Sequence, residues 1–139
     1  MKEKAARALL DEYLARIRRY APCDEIEVRE EDSSPKLEAA FQKAIPARAR
    51  TVALEVTGEA LSSERFAALV GRARDQGQAA LVFMVGGAYG LPGALSRAAD
   101  HRVSLGPMTL PHRLARIVLA EQLYRAFTIL AGEPYHHAG

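Results

Sequence analysis

Three short stretches carry the residue types from which a site can be built: "GGAYG" at 86–90, "LGPMTL" at 105–110 and "EPYHH" at 133–137. Glycine lets a backbone turn sharply and lets a ligand approach with no Cβ in the way. Gly86 and Gly87 directly follow an apolar run, so they suit a nucleotide-like ligand, or equally a tight strand-to-helix turn. The second loop sets apolar Leu105, Met108 and Leu110 around Gly106, Pro107 and Thr109. Flat apolar contact plus a few convergent backbone amides is what a purine ring needs. The plainer alternative is an ordinary turn with Thr109 capping the following helix. Other polar candidates are His112, Arg113, Arg116, Glu121, Arg125, Tyr135, His136 and His137. Adjacent histidines in a tail lack the further ligands that zinc requires, so no metal is expected. No base is paired with a serine or with Cys23, which leaves nucleophilic catalysis without support. The glycines come too late and with the wrong spacing for a dinucleotide fingerprint, and no phosphate-loop motif is present.

The elements around these stretches alternate in type. Residues 2–20 repeat apolar positions at helical steps (Ala6, Leu9, Leu10, Tyr13, Leu14, Ile17), and Pro22 ends the helix. "DEIEVRE" at 24–30 alternates with period two, which predicts a half-exposed strand. Ser34 and Pro35 open a second helix. "TVALEV" at 51–56 is a strand closed by Thr57 and Gly58. Ser62 or Ser63 caps a helix over 64–75, and Gly77 stops it. "AALVFMV" at 79–85 is continuously apolar, as in a parallel strand covered on both faces. A short helix over 91–99, a short strand at 101–105 and a long helix from Pro111 to about residue 131 follow, with Gly132 as the stop. This alternation predicts an α/β fold with a mainly parallel sheet flanked by helices, in which ligands sit beyond the carboxyl ends of the strands. Both glycine loops leave such ends.

The long helix carries Leu114, Ile117, Val118, Leu119, Leu123, Tyr124, Phe127, Ile129 and Leu130 on more than one side. A surface helix usually has one apolar stripe. A twofold homodimer supplies a second covering surface, and so does burial at the centre of the monomer.

The 139 residues fit one domain spanning 1–139. Apolar residues at 49% and charged residues at 26% are ordinary for a globular chain, and a net charge of +2 by itself argues for no polyanion. One cysteine excludes an intrachain disulfide and fits a reducing cytoplasm. No apolar run reaches the roughly 18–20 residues of a membrane span, and the charged start "MKEK" is unlike a signal peptide.

Together, "FMVGGAYGL" and "SLGPMTLPHRLARIVLAEQLYRAFTILAGEPYHH" resemble the ribosomal RNA large subunit methyltransferase H family, small members of the knotted SPOUT methyltransferases. The likeness is dense over 81–136 and extends more loosely through "TVALEVTGEALSSERFA" to the first helix. It implies a trefoil knot in the C-terminal half, a rare exception to unknotted chains. It implies a homodimer that binds S-adenosylmethionine and methylates N3 of a pseudouridine in 23S ribosomal RNA on the assembled ribosome. It carries cofactor contacts onto Leu54, Gly86, Leu105, Gly106, Pro107, Met108, Thr109 and Leu110. Tyr135 and His136 become the catalytic candidates at the partner's site, with His136 the best base. Arg113, Arg116, Arg125 and the first-helix arginines are either phosphate holders or salt-bridge partners.

Two departures accompany the resemblance. Relatives usually begin with an apolar strand and a Gly-Lys loop, whereas this sequence starts at the helix, so the sheet is expected to lack its usual first strand. Gly106 and Pro107 stand where relatives often carry serine and another small or polar residue, so the loop backbone is expected to differ. The main competing reading is a non-catalytic dimeric module that binds RNA or the ribosome, weakened by loss of that strand. A further one is an enzyme of another class that uses the glycine loop for a different nucleotide.

Overall fold

The computed structural model describes residues 3–137, and of His136 and His137 the backbone only. The elements in order are α1 (Glu3–Ile17), α2 (Ser34–Ala44), β1 (Arg50–Ala60), α3 (Ser63–Asp75), β2 (Leu81–Met84), α4 (Gly93–Ala98), β3 (His101–Ser104) and α5 (His112–Ala131). A 3-10 turn, Pro134–His137, follows. The sheet has three strands in the order β2-β1-β3, parallel on both sides of β1. β1 is central, and its Val52 and Ala53 are fully buried.

The helix starts follow side-chain capping. Ser62 accepts a hydrogen bond from the Arg65 amide (3.1 Å) at the start of α3. Ser33 rather than Ser34 is the cap of α2, accepting from the Lys36 amide. α3 buries Phe66, Ala67, Leu69, Val70 and Ala73 against the sheet and α5. α1 lays Ala6, Leu10, Leu14 and Ile17 on the opposite side of α5, against Ile117 and Ala120. Helix α5 thus lies between α1 and α3, with Leu119 and Ala126 turned to the Phe66 and Val70 side. This explains inside one chain why its apolar residues cover more than one side. Leu114, at 41% exposure, is left over.

Four expectations fail locally. Residues 24–30 form no strand. An alternating run becomes a strand only when a neighbour accepts its ladder, and this run pairs with none of the three strands. Instead Glu25 is drawn to Arg7 (2.6 Å) and Arg116 (3.3 Å), and Ile26 stays exposed. Strand β1 does not close at Thr57–Gly58. It runs on to Ala60 through an irregularity in which Leu54 and Glu59 both face Val103. Glycine is required there, because a Cβ on Gly58 would lie 2.7 Å from the Val103 nitrogen. Strand β2 is an edge strand whose Leu81, Val82 and Phe83 are half-buried, not covered on both faces. Thr109 caps nothing: Pro111 occupies the cap of α5, and no side chain completes it.

Candidate functional site

The parallel register brings the separate loops to one end of the sheet. Ala53 is level with Met84, and Leu54 with Val103. Leu54 therefore stands between the last residues of β2 and β3, where the chain leaves toward Gly86 on one side and Leu105 on the other. Neighbouring strands are about 4.8 Å apart, so the two loops start roughly 10 Å from each other with Leu54 between them. That is the width of a nucleoside, at the position where parallel sheets bind ligands.

The first loop is tighter than its glycine content alone implies. Gly90 has φ +80°, and its amide donates to the Gly87 carbonyl (3.0 Å). A Cβ on Gly86 would meet the Gly90 carbonyl carbon at 2.5 Å. Tyr89 at the loop tip is 92% exposed.

The second loop is held by a residue absent from the sequence-level candidates. The hydroxyl of buried Ser104 donates to the Gly106 carbonyl (2.8 Å) and accepts from the Gly106 amide (3.0 Å). A serine two residues before a glycine is the turn-forming pattern that marks it. Gly106 itself has φ +132° with open space where a Cβ would project, so the loop uses a backbone that other residues rarely adopt. Leu105 and Leu110 are half-buried, while Pro107, Met108 and Thr109 are exposed.

Tyr135 is held along α5, not at the end where the 105–110 loop enters it. The Tyr135 hydroxyl donates to Glu121 Oε2 (3.0 Å), and its ring lies 4.7 Å from that of Tyr124. Glu121 is nine residues beyond His112, roughly 13 Å along α5 from the loop's end. Burial, then the bond to the Glu121 carboxylate, push the Tyr135 phenol up to about 12. Such a phenol stays protonated at neutral pH and acts as a hydrogen-bond donor, not a base. The side chains of His136 and His137 lie outside the described residues.

The arginines are engaged internally. Arg125 binds Glu121 (2.8 Å), Arg113 binds Glu3 (3.2 Å), Arg116 binds Glu25 (3.3 Å), and Arg7 binds both Asp11 and Glu25. A cleft of about 450 Å³ between the first turns of α1 and α5 is lined by several of these committed charges. Burial raises the Cys23 thiol above its ordinary value, which keeps it a poor nucleophile. No described helix is long and apolar enough to cross a membrane.

Similarity to known proteins covers nearly the whole chain. A family model described as "Predicted SPOUT methyltransferase" matches residues 1–136. A protein of Sorangium cellulosum named ribosomal RNA large subunit methyltransferase H is 53% identical over 137 residues, covering 99% of this chain and 93% of the relative. Proteins of the same name from Xanthobacter autotrophicus and a Geobacter species are 45% and 44% identical. Those two alignments cover 99% and 97% of this chain, and 94% and 92% of the relatives.

Proposed function

The chain belongs to the SPOUT methyltransferase family, and from that premise we propose that it transfers a methyl group from S-adenosylmethionine to N3 of a pseudouridine in 23S ribosomal RNA. The observation that carries this reading is the convergence of Leu54, Gly86 and the 105–110 loop at the carboxyl end of the sheet. Residues 1–139 act as one SPOUT domain, with a trefoil knot formed by the C-terminal half.

The residues present fit the cofactor. Leu54, Leu105, Met108 and Leu110 offer apolar walls for the adenine. The positive-φ backbone at Gly106 has no Cβ to block approach, and the amides around it, with Thr109 and Pro107, frame the loop. Bound S-adenosylmethionine supplies a sulfonium methyl whose bond to sulfur breaks as the bond to N3 forms. In-line displacement of this kind needs positioning more than covalent help. The N3 proton must leave, and His136 takes it, since an ordinary imidazole is largely neutral at pH 7.

The protein works as a homodimer on the assembled ribosome in the cytoplasm. Support for the dimer comes from exposed Leu114, Met108 and Tyr89 near the loops, and from the separation of Tyr135 from the loops of its own chain. A partner's Tyr135 and His136 complete each site.

Calorimetry with S-adenosylmethionine and S-adenosylhomocysteine, followed by transfer of labelled methyl to ribosomes, tests the proposal. Micromolar binding that Gly86→Val abolishes is expected. No binding by the wild type, with Gly86→Val indistinguishable from it, overturns the cofactor site. Ribosome association without methyl incorporation favours a non-catalytic binding module.

A further inference from the structure

Resting on the methyl-transfer reading, we propose that Tyr20, which follows α1, and Glu121 of α5 are positioning residues. They preset the C-terminal segment 133–136 through two tyrosine–carboxylate hydrogen bonds of opposite polarity.

The segment is redirected at once after α5. Gly132 adopts φ +73°, its amide donates to the Ile129 carbonyl (3.1 Å), and the Glu133 amide donates to the Thr128 carbonyl (2.8 Å). This closure turns the chain back along its own helix. Two residues of the segment are then gripped in opposite senses. Glu133 accepts a hydrogen bond from the Tyr20 hydroxyl, and Tyr135 donates one to Glu121. A segment that must supply both an acceptor and a donor fits in one register only.

Each grip is itself braced. The Tyr20 ring stacks on Phe127 at 5.5 Å, nearly parallel. Two Arg125 nitrogens bind Glu121 Oε2, at 2.8 and 3.1 Å, and the same guanidinium lies over the Tyr135 ring. Tyr124 contacts the rings of Tyr13, Tyr20 and Tyr135, so α1 and α5 close on the segment together. The Gln122 amide donates to Glu121 Oε1 (2.9 Å), and Ser63 donates to Gln122 (2.7 Å). A continuous polar chain thus runs from the first residue of α3, just beyond β1, to the tail.

The placement explains why Tyr20 and Glu121 position instead of react. Their hydrogen bonds go to Glu133 and Tyr135, and the residue that follows Tyr135, His136, is the proposed base. A small displacement of a reacting group lowers turnover without touching cofactor binding.

The experiment uses full-length Tyr20→Phe and Glu121→Gln. For each, S-adenosylmethionine affinity is measured by calorimetry, and kcat and KM by methyl transfer to ribosomes. The expected result is cofactor affinity within about twofold of wild type and kcat lower by on the order of ten- to a hundredfold. Phenolate absorbance reports the bonds directly. In Glu121→Gln and in Glu133→Gln a tyrosine is expected to ionise at lower pH than in wild type. Wild-type kcat and KM in both Tyr20→Phe and Glu121→Gln, with the absorbance showing the bonds broken, overturn the proposal. Glu121→Gln removes the carboxylate that Arg125 binds. If that variant does not fold, Tyr20→Phe decides alone, because it keeps the stacked ring and removes only the hydroxyl. An inactive wild type fails the methyl-transfer reading itself, an outcome distinct from active variants.

Discussion

Gly86 and Gly90 approach so closely that a Cβ on residue 86 would lie 2.5 Å from the Gly90 carbonyl carbon. Both sides of that contact are backbone, so nothing flexible can yield. Gly86→Ala is therefore expected to destabilise the protein by about 1–3 kcal/mol, in the range of overpacking. It should also weaken S-adenosylmethionine binding, because the loop must reopen. Gly87 is the control: the nearest atoms a Cβ there would meet belong to the Glu30 carboxylate, at 2.8 Å, the end of a flexible side chain. Thermal denaturation of both variants checks the contrast, and equal melting temperatures would refute it.

Gly58 makes the same kind of demand on the sheet. A Cβ there would sit 2.7 Å from the Val103 nitrogen and 2.8 Å from the Arg102 carbonyl carbon. Gly58→Ala should push β3 away from the far end of β1 and destabilise by about 1–3 kcal/mol. Hydrogen exchange should then quicken at Val103 and Ser104 but not at Arg50, whose amide donates to the Ala80 carbonyl on the β2 side. Uniform protection along β3 would remove the argument.

Ser104 separates loop order from fold stability. Its hydroxyl makes two hydrogen bonds to the Gly106 backbone and none that crosses to another element. Losing a hydrogen bond of this sort costs about 0.5–1.5 kcal/mol. Ser104→Ala should lower S-adenosylmethionine affinity by roughly three- to tenfold while thermal stability changes little. Calorimetry beside a melting curve reads both. Unchanged affinity would mean that the serine staples a loop the cofactor does not use.

Much of the fold was legible because its signals are local. Serine caps, Gly132 at the end of α5 and the short strands can be read from a few adjacent residues. The failures involve partners distant in sequence. "DEIEVRE" has a strand's alternation, but a strand exists only with a neighbour, and this run pairs with none of β1, β2 or β3. The two apolar sides of α5 could be counted from sequence. Which surfaces cover them could not, since α1 and α3, both distant from α5 in sequence, claim them from its two sides. The loops were recognised by composition, and only the register of three strands shows that Leu54 stands between them. Ser104 was missed because its role depends on the backbone angle of Gly106, which no residue type displays. Sequence leaves the arginines as phosphate holders or salt-bridge partners, and only the fold brings Glu3, Glu25 and Glu121 beside Arg113, Arg116 and Arg125.

Alkaline pH should loosen the tail before the core. The bond to the Glu133 carboxylate, then burial, push the Tyr20 phenol up to about 12, and Tyr135 is raised to about 12 by burial and Glu121. An unfolded tyrosine titrates near 10. A group whose folded value is raised contributes stability that is fully present below the unfolded value and is lost as pH rises through the folded one. The window is therefore pH 10 to about 12, where the unfolded chain releases these protons and the folded chain keeps them. Urea midpoints should fall across that window, and the fall should be smaller in Tyr20→Phe and smaller again in the double variant with Tyr135→Phe. Absorbance of the folded wild type should show Tyr20 and Tyr135 ionising well above the ordinary phenol value. If both phenylalanine variants lose stability with pH as steeply as wild type, the tyrosine–carboxylate bonds are not what holds the segment.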